Sequence, residues 1–352
     1  MTIEAGFLMG LAFVSAAGLA WGFRRLPREG WQILAAVPKR RDSAGGWTGV
    51  NLTWYGVLFA TAFAAAVALL VVLLGAVGVE TIPLASLAAT IAVVCMTGAR
   101  FVARVVERRP YTFTVGGAVF LGVLVFPWIL MLENAVLDAA GRDRLPALAV
   151  LAAFSIAHAY GEGLGRLACI SFGCCYGRPV EQMPRLFRRC LGPAASFRFE
   201  GETKKVAYEG RLEGRAVAAV QGWTSVVLVS TALLATAIFL QGRFGTSLVV
   251  ALGTSQGWRF VSEAFRADWR GGGRLSAYQA MAALSLAYAA GVAFVIPSEA
   301  GPPVQLSRGL EALWKPEALL AVQALWLGVF LLTGRSQMTA STLHVHVRGQ
   351  QG

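Results

Sequence analysis

Apolar runs of membrane-spanning length recur along the chain, separated by shorter polar stretches. A helix needs about 20 such residues to cross the hydrocarbon core. Runs of that kind fall at roughly 3–23, 54–77, 82–99, 114–136, 146–164, 217–240, 246–262, 275–296 and 317–333. The third and seventh are short or carry charge. The ninth begins just after Pro316, a favoured helix start. The pattern predicts an all-α, multi-pass integral membrane protein. The first run carries Glu4 and no basic residue ahead of it, and Arg24-Arg25 follows it, so it reads as a retained helix rather than a cleaved signal.

One soluble piece stands out, the loop 178–216. Ser196-Phe-Arg-Phe-Glu200 and Lys205-Val-Ala-Tyr-Glu209 alternate polar and apolar positions around Gly201-Glu-Thr. That spacing predicts a small β-hairpin head on the membrane body. The tail after Thr333, with His344 and His346, reads as disordered and its histidines as incidental.

Composition agrees with the pattern. Charged residues make up 14% of the 352, against about 25% in soluble domains. The net charge of +12 is expected to face anionic lipid from cytoplasmic loops and gives no ground for nucleic-acid binding. With the N-terminus outside, the inward segments 24–53, 100–113, 165–216, 263–274 and 334–352 hold 25 of the 31 Lys and Arg residues, and the outward ones hold five. The loop charges therefore favour that orientation.

The stretch from His158 to Arg178 concentrates the unusual chemistry. If the fifth helix continues to Cys169, then His158, Glu162, Arg166 and Cys169 share one face at i, i+4, i+8 and i+11. Glu162 and Arg166 form either a self-neutralising pair or part of a wet cationic cavity beside thiols; charges at membrane depth usually face a partner or such a cavity. A second cluster ends the seventh run, where Arg259, Glu263 and Arg266 share a face. Arg266 near the surface reads as a snorkelling side chain. Two deep guanidinium groups, Arg166 and Arg259, suit an anionic ligand, and in a membrane that is a phospholipid head group.

The chain has five cysteines. Cys95 lies in an apolar run and reads as packing. Cys169, Cys174, Cys175 and Cys190 surround one loop, but their spacing fits no familiar metal pattern, and adjacent cysteines are poorly placed to ligate one ion. No cofactor and no metal are expected. Cys174 or Cys175 could instead act as a nucleophile on an acyl or lipid group.

Shorter signals fall in a fixed order with these: Trp54-Tyr55-Gly56, Gly98-Ala99-Arg100, Gly116-Gly117, Gly165-Arg166, Gly177-Arg178, Gln221 and Arg259-Phe-Val-Ser-Glu263-Ala-Phe-Arg266. In that order they resemble the motifs of the bacterial prolipoprotein diacylglyceryl transferases. The resemblance covers about 50–297. It implies a seven-helix membrane core with a head between its fourth and fifth helices. Here that gives an extra helix and basic loop at 1–49, a core at 50–297 with its head at 178–216, and an extra helix with the tail at 298–352.

The resemblance also implies the reaction. The diacylglyceryl group of phosphatidylglycerol moves to the cysteine thiol of a prolipoprotein, a thioether forms, and glycerol phosphate leaves. The setting is the bacterial plasma membrane, and the partners are phosphatidylglycerol and a prolipoprotein signal peptide. Arg166 and Arg259 would hold the phosphate, Glu263 would orient Arg259, and Tyr55 would bind the head group or help move the proton. Gly116, Gly117, Gly177, Arg100, Gln221 and Cys169 would line the lipid site. Val115 stands where the family has a histidine, and His158 is the candidate substitute. Cys169 and Cys174 stand where the family has Asn and Glu. Three alternatives follow from the residues: a phospholipid-modifying enzyme with another acceptor that uses Cys169, Cys174 or Cys175; a thiol-based metal or redox membrane protein; and a transporter. In the family the hallmark loop faces outward, which conflicts with the orientation favoured by the loop charges.

Overall fold

The computed structural model describes residues 2–30, 32–41, 43, 47–107, 115–184, 195–267, 275–296 and 303–336. Cys190, Asp268, His344 and His346, all noted in the sequence, lie outside them. The long helices are α1 (Ile3–Arg25), α2 (Trp54–Ala76), α3 (Thr81–Val102, continued by a π-helical turn Ala103–Glu107), α4 (Val115–Ala139) and α5 (Ala147–Phe172). The short α6 (Lys205–Tyr208) precedes α7 (Val220–Leu240), α8 (Phe244–Glu263) and α9 (Ala277–Val295). The nine-residue α10 (Leu306–Trp314) leads into α11 (Pro316–Thr333). Among the described residues eight helices are long and apolar enough to cross a membrane: α1–α5, α7, α9 and α11. The more polar α8 is packed among α5, α7 and α9. The body is therefore helical and multi-pass, with α2, α3, α4, α5, α7, α8 and α9 as its seven core helices and α1 and α11 added at the ends.

Helix α5 is the pillar of the bundle, packed against α2, α7 and α8. Its sequence explains why. Ala149, Ala152, Ala153, Ala157, Ala159, Gly163 and Gly165 let neighbouring backbones approach. A Cβ on Gly163 would lie 2.9 Å from Val229 Cγ2 and 3.0 Å from Val229 N on α7. The helix runs to Phe172 and closes on Gly173, whose φ of 69° is left-handed. The amide of Cys174 then reaches back to the Cys169 carbonyl at 3.1 Å, completing a Schellman-type cap. Elsewhere the ends are set locally. Ser276 and Gln279 form a capping box on α9, and Thr2 caps α1.

Among the described residues two small sheets sit at one end of the bundle. In the first, β1 (Ile33–Arg41) pairs antiparallel with β2 (Trp47–Thr53), which pairs with β5 (Arg335–Ser336). The basic segment before α2 is thus a hairpin rather than a loop, and the start of the expected disordered tail is a strand. Pro38 is accommodated because β1 is an edge strand with a register shift beside it.

The second sheet, β3 (Ser196–Arg198) with β4 (Ala216–Ala218), corrects the predicted hairpin. Its partner strand is 216–218, and Lys205–Tyr208 is a helical turn. Five residues are too few to separate the two periods, and Lys205 and Glu209 form an i, i+4 ion pair at 3.2 Å that favours the helical form. Phe197, Phe199, Val206, Val217 and Tyr176 form the core of the head. Lys204 fastens it to the bundle: its fully buried ammonium donates to the Leu26 carbonyl after α1 at 2.8 Å and to the Ser171 carbonyl on α5 at 2.9 Å.

Candidate functional site

The end of the bundle that carries the sheets gathers the last turns of α5 and α8 and the first turns of α2, α4, α7 and α9. Glu162 is its hub. The face predicted for α5 is present, and it carries His158, Glu162, Arg166 and Cys169 in successive turns. Arg166 forms an ion pair with Glu162. Arg259, from α8, places one Nη atom 2.7 Å from both Glu162 oxygens. His158 Nε2 stands 3.1 Å from Glu162 Oε2. One carboxylate with 8% side-chain exposure therefore holds two guanidinium groups. The pair is not self-neutralising, and a positive charge remains. Arg166 Nε is buried with no hydrogen-bond partner among the described residues.

The carboxylate seen to hold Arg259 is Glu162, where the sequence expectation named Glu263. Glu263 lies 3.6 Å from Arg266, and both side chains are nearly buried. Arg266 does not snorkel. The segment after α5 covers it, because Gly177 bridges Arg266, Arg178 N donates to Phe265 O at 2.9 Å, and Ala267 N donates to Tyr176 O at 3.0 Å. Gly177 also packs against the Ala218 carbonyl, where a Cβ would not fit.

The thiols sit at the mouth of this cluster. The sulfurs of Cys169, Cys174 and Cys175 lie within 4.8 Å of one another. Sequence reasoning held adjacent cysteines to be badly placed for that. The structure answers with backbone shape: Cys175 takes a left-handed φ of 57°, rare for a residue with a side chain, and turns its sulfur to the side shared by the other two. Gln221, fully buried at the start of α7, donates to the Cys174 carbonyl at 2.8 Å and fixes the turn. Within the turn the Cys175 thiol is drawn well below the ordinary thiol range, first by the Cys169 and Cys174 thiols beside it and then by Arg266 and Arg166. The Cys174 thiol is pushed up by the Cys169 and Cys175 thiols and by burial.

Tyr55 enters from the first turn of α2. Its ring meets Phe172 edge-on at 5.8 Å, which sets it against the end of α5 where the thiol turn begins. Gly116 and Gly117 are buried at the start of α4. A Cβ on Gly116 would stand 2.6 Å from the Tyr278 ring and 3.1 Å from Arg259 Nη1, so this glycine makes room for the guanidinium. Arg100 is exposed on α3, which packs against α4, and is not drawn into the cluster. His158 is at the far end of the row, eleven residues from Cys169, or about 16 Å along the helix. It contacts the hub and not the thiols. Sequence reasoning missed the link from Glu162 to Arg259 and the roles of Tyr278 and Lys204; no spacing in one helix signals a partner on another.

These features define a multi-pass membrane protein that collects arginines, carboxylates and thiols at one end of a helical bundle. The model of the prolipoprotein diacylglyceryl transferase family matches residues 46–296. The chain belongs to that family, and so to a class of membrane transferases. The match runs from β2 through α9 and leaves α1, β1, α10 and α11 outside it. A comparison with curated proteins finds no match to this chain.

Proposed function

We propose that this protein moves the diacylglyceryl group of phosphatidylglycerol to the cysteine thiol of a prolipoprotein, in the bacterial plasma membrane. The observation that carries this reading is the pair Arg166 and Arg259 on the single carboxylate of Glu162. Two fixed guanidinium groups with surplus positive charge suit the head-group phosphate of the donor. They suit it more as the ester breaks, because negative charge then builds on the departing glycerol phosphate. Arg166 Nε, buried without a partner among the described residues, is a donor available to such an oxygen. Glu162 and His158 act as positioning residues that hold the guanidinium groups in place. Tyr55, packed on Phe172 at the end of α5, bridges the donor and acceptor halves of the site. Gly116, Gly117, Gly177 and Gln221 shape its wall.

The test is transfer in reconstituted vesicles, with labelled phosphatidylglycerol and a peptide carrying a lipoprotein signal cysteine. Label should appear on the peptide as a thioether, and Arg166→Ala should lower the rate by about 100–1000-fold. If peptide and lipid remain untouched under conditions where another family member works, this reading fails.

A further inference from the structure

The three thiols at the mouth of the site are more than the Arg–Glu cluster needs. We propose that Cys169, Cys174 and Cys175 hold a thiophilic divalent ion, Zn²⁺, with an open fourth position that takes the acceptor thiol. This rests on the transferase reading for the identity of the acceptor, but not for the metal site itself.

Geometry supports the ion first. Three thiolates around zinc at about 2.3 Å place their sulfurs about 3.8 Å apart. The sulfurs here already lie within 4.8 Å of one another, so small side-chain rotations close the site. The donors are held in place from several sides. Cys169 stands on the last turns of α5, Gly173 caps that helix, Gln221 grips the Cys174 carbonyl at 2.8 Å, and the left-handed Cys175 is followed by a segment pinned to 265–267. A strained backbone that brings three soft ligands together is the kind of pre-organisation a metal site requires. Thiolates select thiophilic ions over hard ones such as Mg²⁺.

Charge supports it next. Arg166, Arg259 and Arg266 face Glu162 and Glu263, leaving one positive charge. A divalent ion cancels two of the three thiolate charges where they arise, so the thiolates do not use up the guanidinium charge that the donor phosphate needs. Among the described residues three ligands leave zinc one coordination position short, which is the arrangement of catalytic rather than structural sites.

Chemistry gives the ion a task. The acceptor thiol must become a thiolate to attack carbon. Among the described residues the one histidine, His158, stands about three turns of α5 from the thiols. Coordination by zinc removes the thiol proton outright and releases it to solvent. The bound sulfur then attacks the glyceryl carbon that bears the phosphate. The C–S bond forms, the C–O bond breaks, and the electron pair leaves on the phosphate oxygen beside Arg166.

The test uses the reduced, chelator-stripped full chain in detergent, titrated with Co²⁺ as a visible substitute. A sulfur-to-cobalt charge-transfer band should grow to one equivalent and be displaced by Zn²⁺. It should disappear in Cys169→Ser, Cys174→Ser and Cys175→Ser and persist in Cys95→Ser. A signal-cysteine peptide should strengthen the band, and the same peptide with serine should not. Chelation should lower transfer by about 100-fold, with Zn²⁺ restoring it. A wild-type protein that shows no band overturns the site without reference to any variant. A band that ignores the cysteine peptide, or transfer that is unchanged by chelation, overturns its role in activating the acceptor and leaves the transferase reading standing. A peptide-responsive band without any transfer supports the site and sinks the transferase reading.

Discussion

Lys204 and the Arg166–Arg259 pair are buried cations at the same end of the bundle, and they are answered in different ways. Lys204 donates to neutral oxygens, the carbonyls of Leu26 and Ser171, with the Phe199 ring 6.0 Å from its nitrogen, and the Glu29 and Glu200 carboxylates favour its charge from farther off. The ammonium serves as a clamp between α1, α5 and the head, and the carbonyls near helix ends are suited to a cation. The arginines share one carboxylate, keep a net positive charge and leave Arg166 Nε without a partner among the described residues. A filled cation site holds structure together. An underfilled one, lined by groups that cannot lose their charge, is, on the reading proposed above, prepared for an anion from outside.

The sharpest way to break this contrast is Glu162→Gln. It removes the one negative charge between two guanidinium groups that are little exposed. Losing one partner of a buried ion pair costs about 3–5 kcal/mol. The variant should therefore melt well below the wild type in detergent, and transfer should fall with it. Added phosphate should recover part of the melting temperature, because an anion replaces the lost charge. An unchanged melting curve would mean that the arginines are already neutralised by lipid or solvent, and the hub would lose its role.

Gly116→Ala is gentler. The new methyl would press on Tyr278 at 2.6 Å and on Arg259 Nη1 at 3.1 Å. Overpacking of this kind costs about 1–3 kcal/mol. A displaced guanidinium costs more in rate than in stability, because misplacement by about 1 Å can lower rate about 100-fold. The expected result is a loss of transfer of about 10–100-fold with only a modest fall in melting temperature. Gly253→Ala on α8, where a Cβ meets nothing within 4 Å, should leave transfer unchanged. Equal rates in both variants would detach Gly116 from the site.

The contrast between the two cation sites was only partly written in the sequence. The spans were legible because each apolar run must satisfy its own backbone in lipid. The α5 face was legible because spacing along one helix fixes direction: His158, Glu162 and Arg166 do line up. What no spacing could reveal was the neighbour across the gap. Arg259 had a carboxylate four residues away in Glu263, yet it crosses to Glu162 on α5. The basic segment before α2 carried charges that read as loop, and they decorate an edge strand. Lys205-Val-Ala-Tyr-Glu209 suited a strand and a helical turn equally. The residue before it, Lys204, gave no sign that it would be buried, because lysines almost never are. The thiol turn depended on a left-handed Cys175 that its identity does not favour.

Lys204→Met gives the smallest effect and tests the other half of the comparison. Burial lowers the Lys204 ammonium from the usual 10.5 to about 8. A lysine whose folded value is depressed binds its proton less tightly in the folded state than in the unfolded one. Below about pH 8 both states are protonated, and the full cost of burying the charge is present. Between about 8 and 10.5 the unfolded chain holds more protons, so stability rises with pH through that window. Methionine has no such proton. The two proteins should keep a constant difference in melting temperature below pH 8. Wild type should then gain on the variant as pH climbs toward 10.5. The neutral variant still fills the space but leaves two carbonyls without their donor, a loss of about 1–3 kcal/mol against which the removed desolvation cost acts. The net change at neutral pH is therefore expected to be under about 2 kcal/mol, well below that of Glu162→Gln. Curves that stay parallel across the whole range would show that the Glu29 and Glu200 carboxylates outweigh burial and hold the proton on Lys204, and the two cation sites would then be alike.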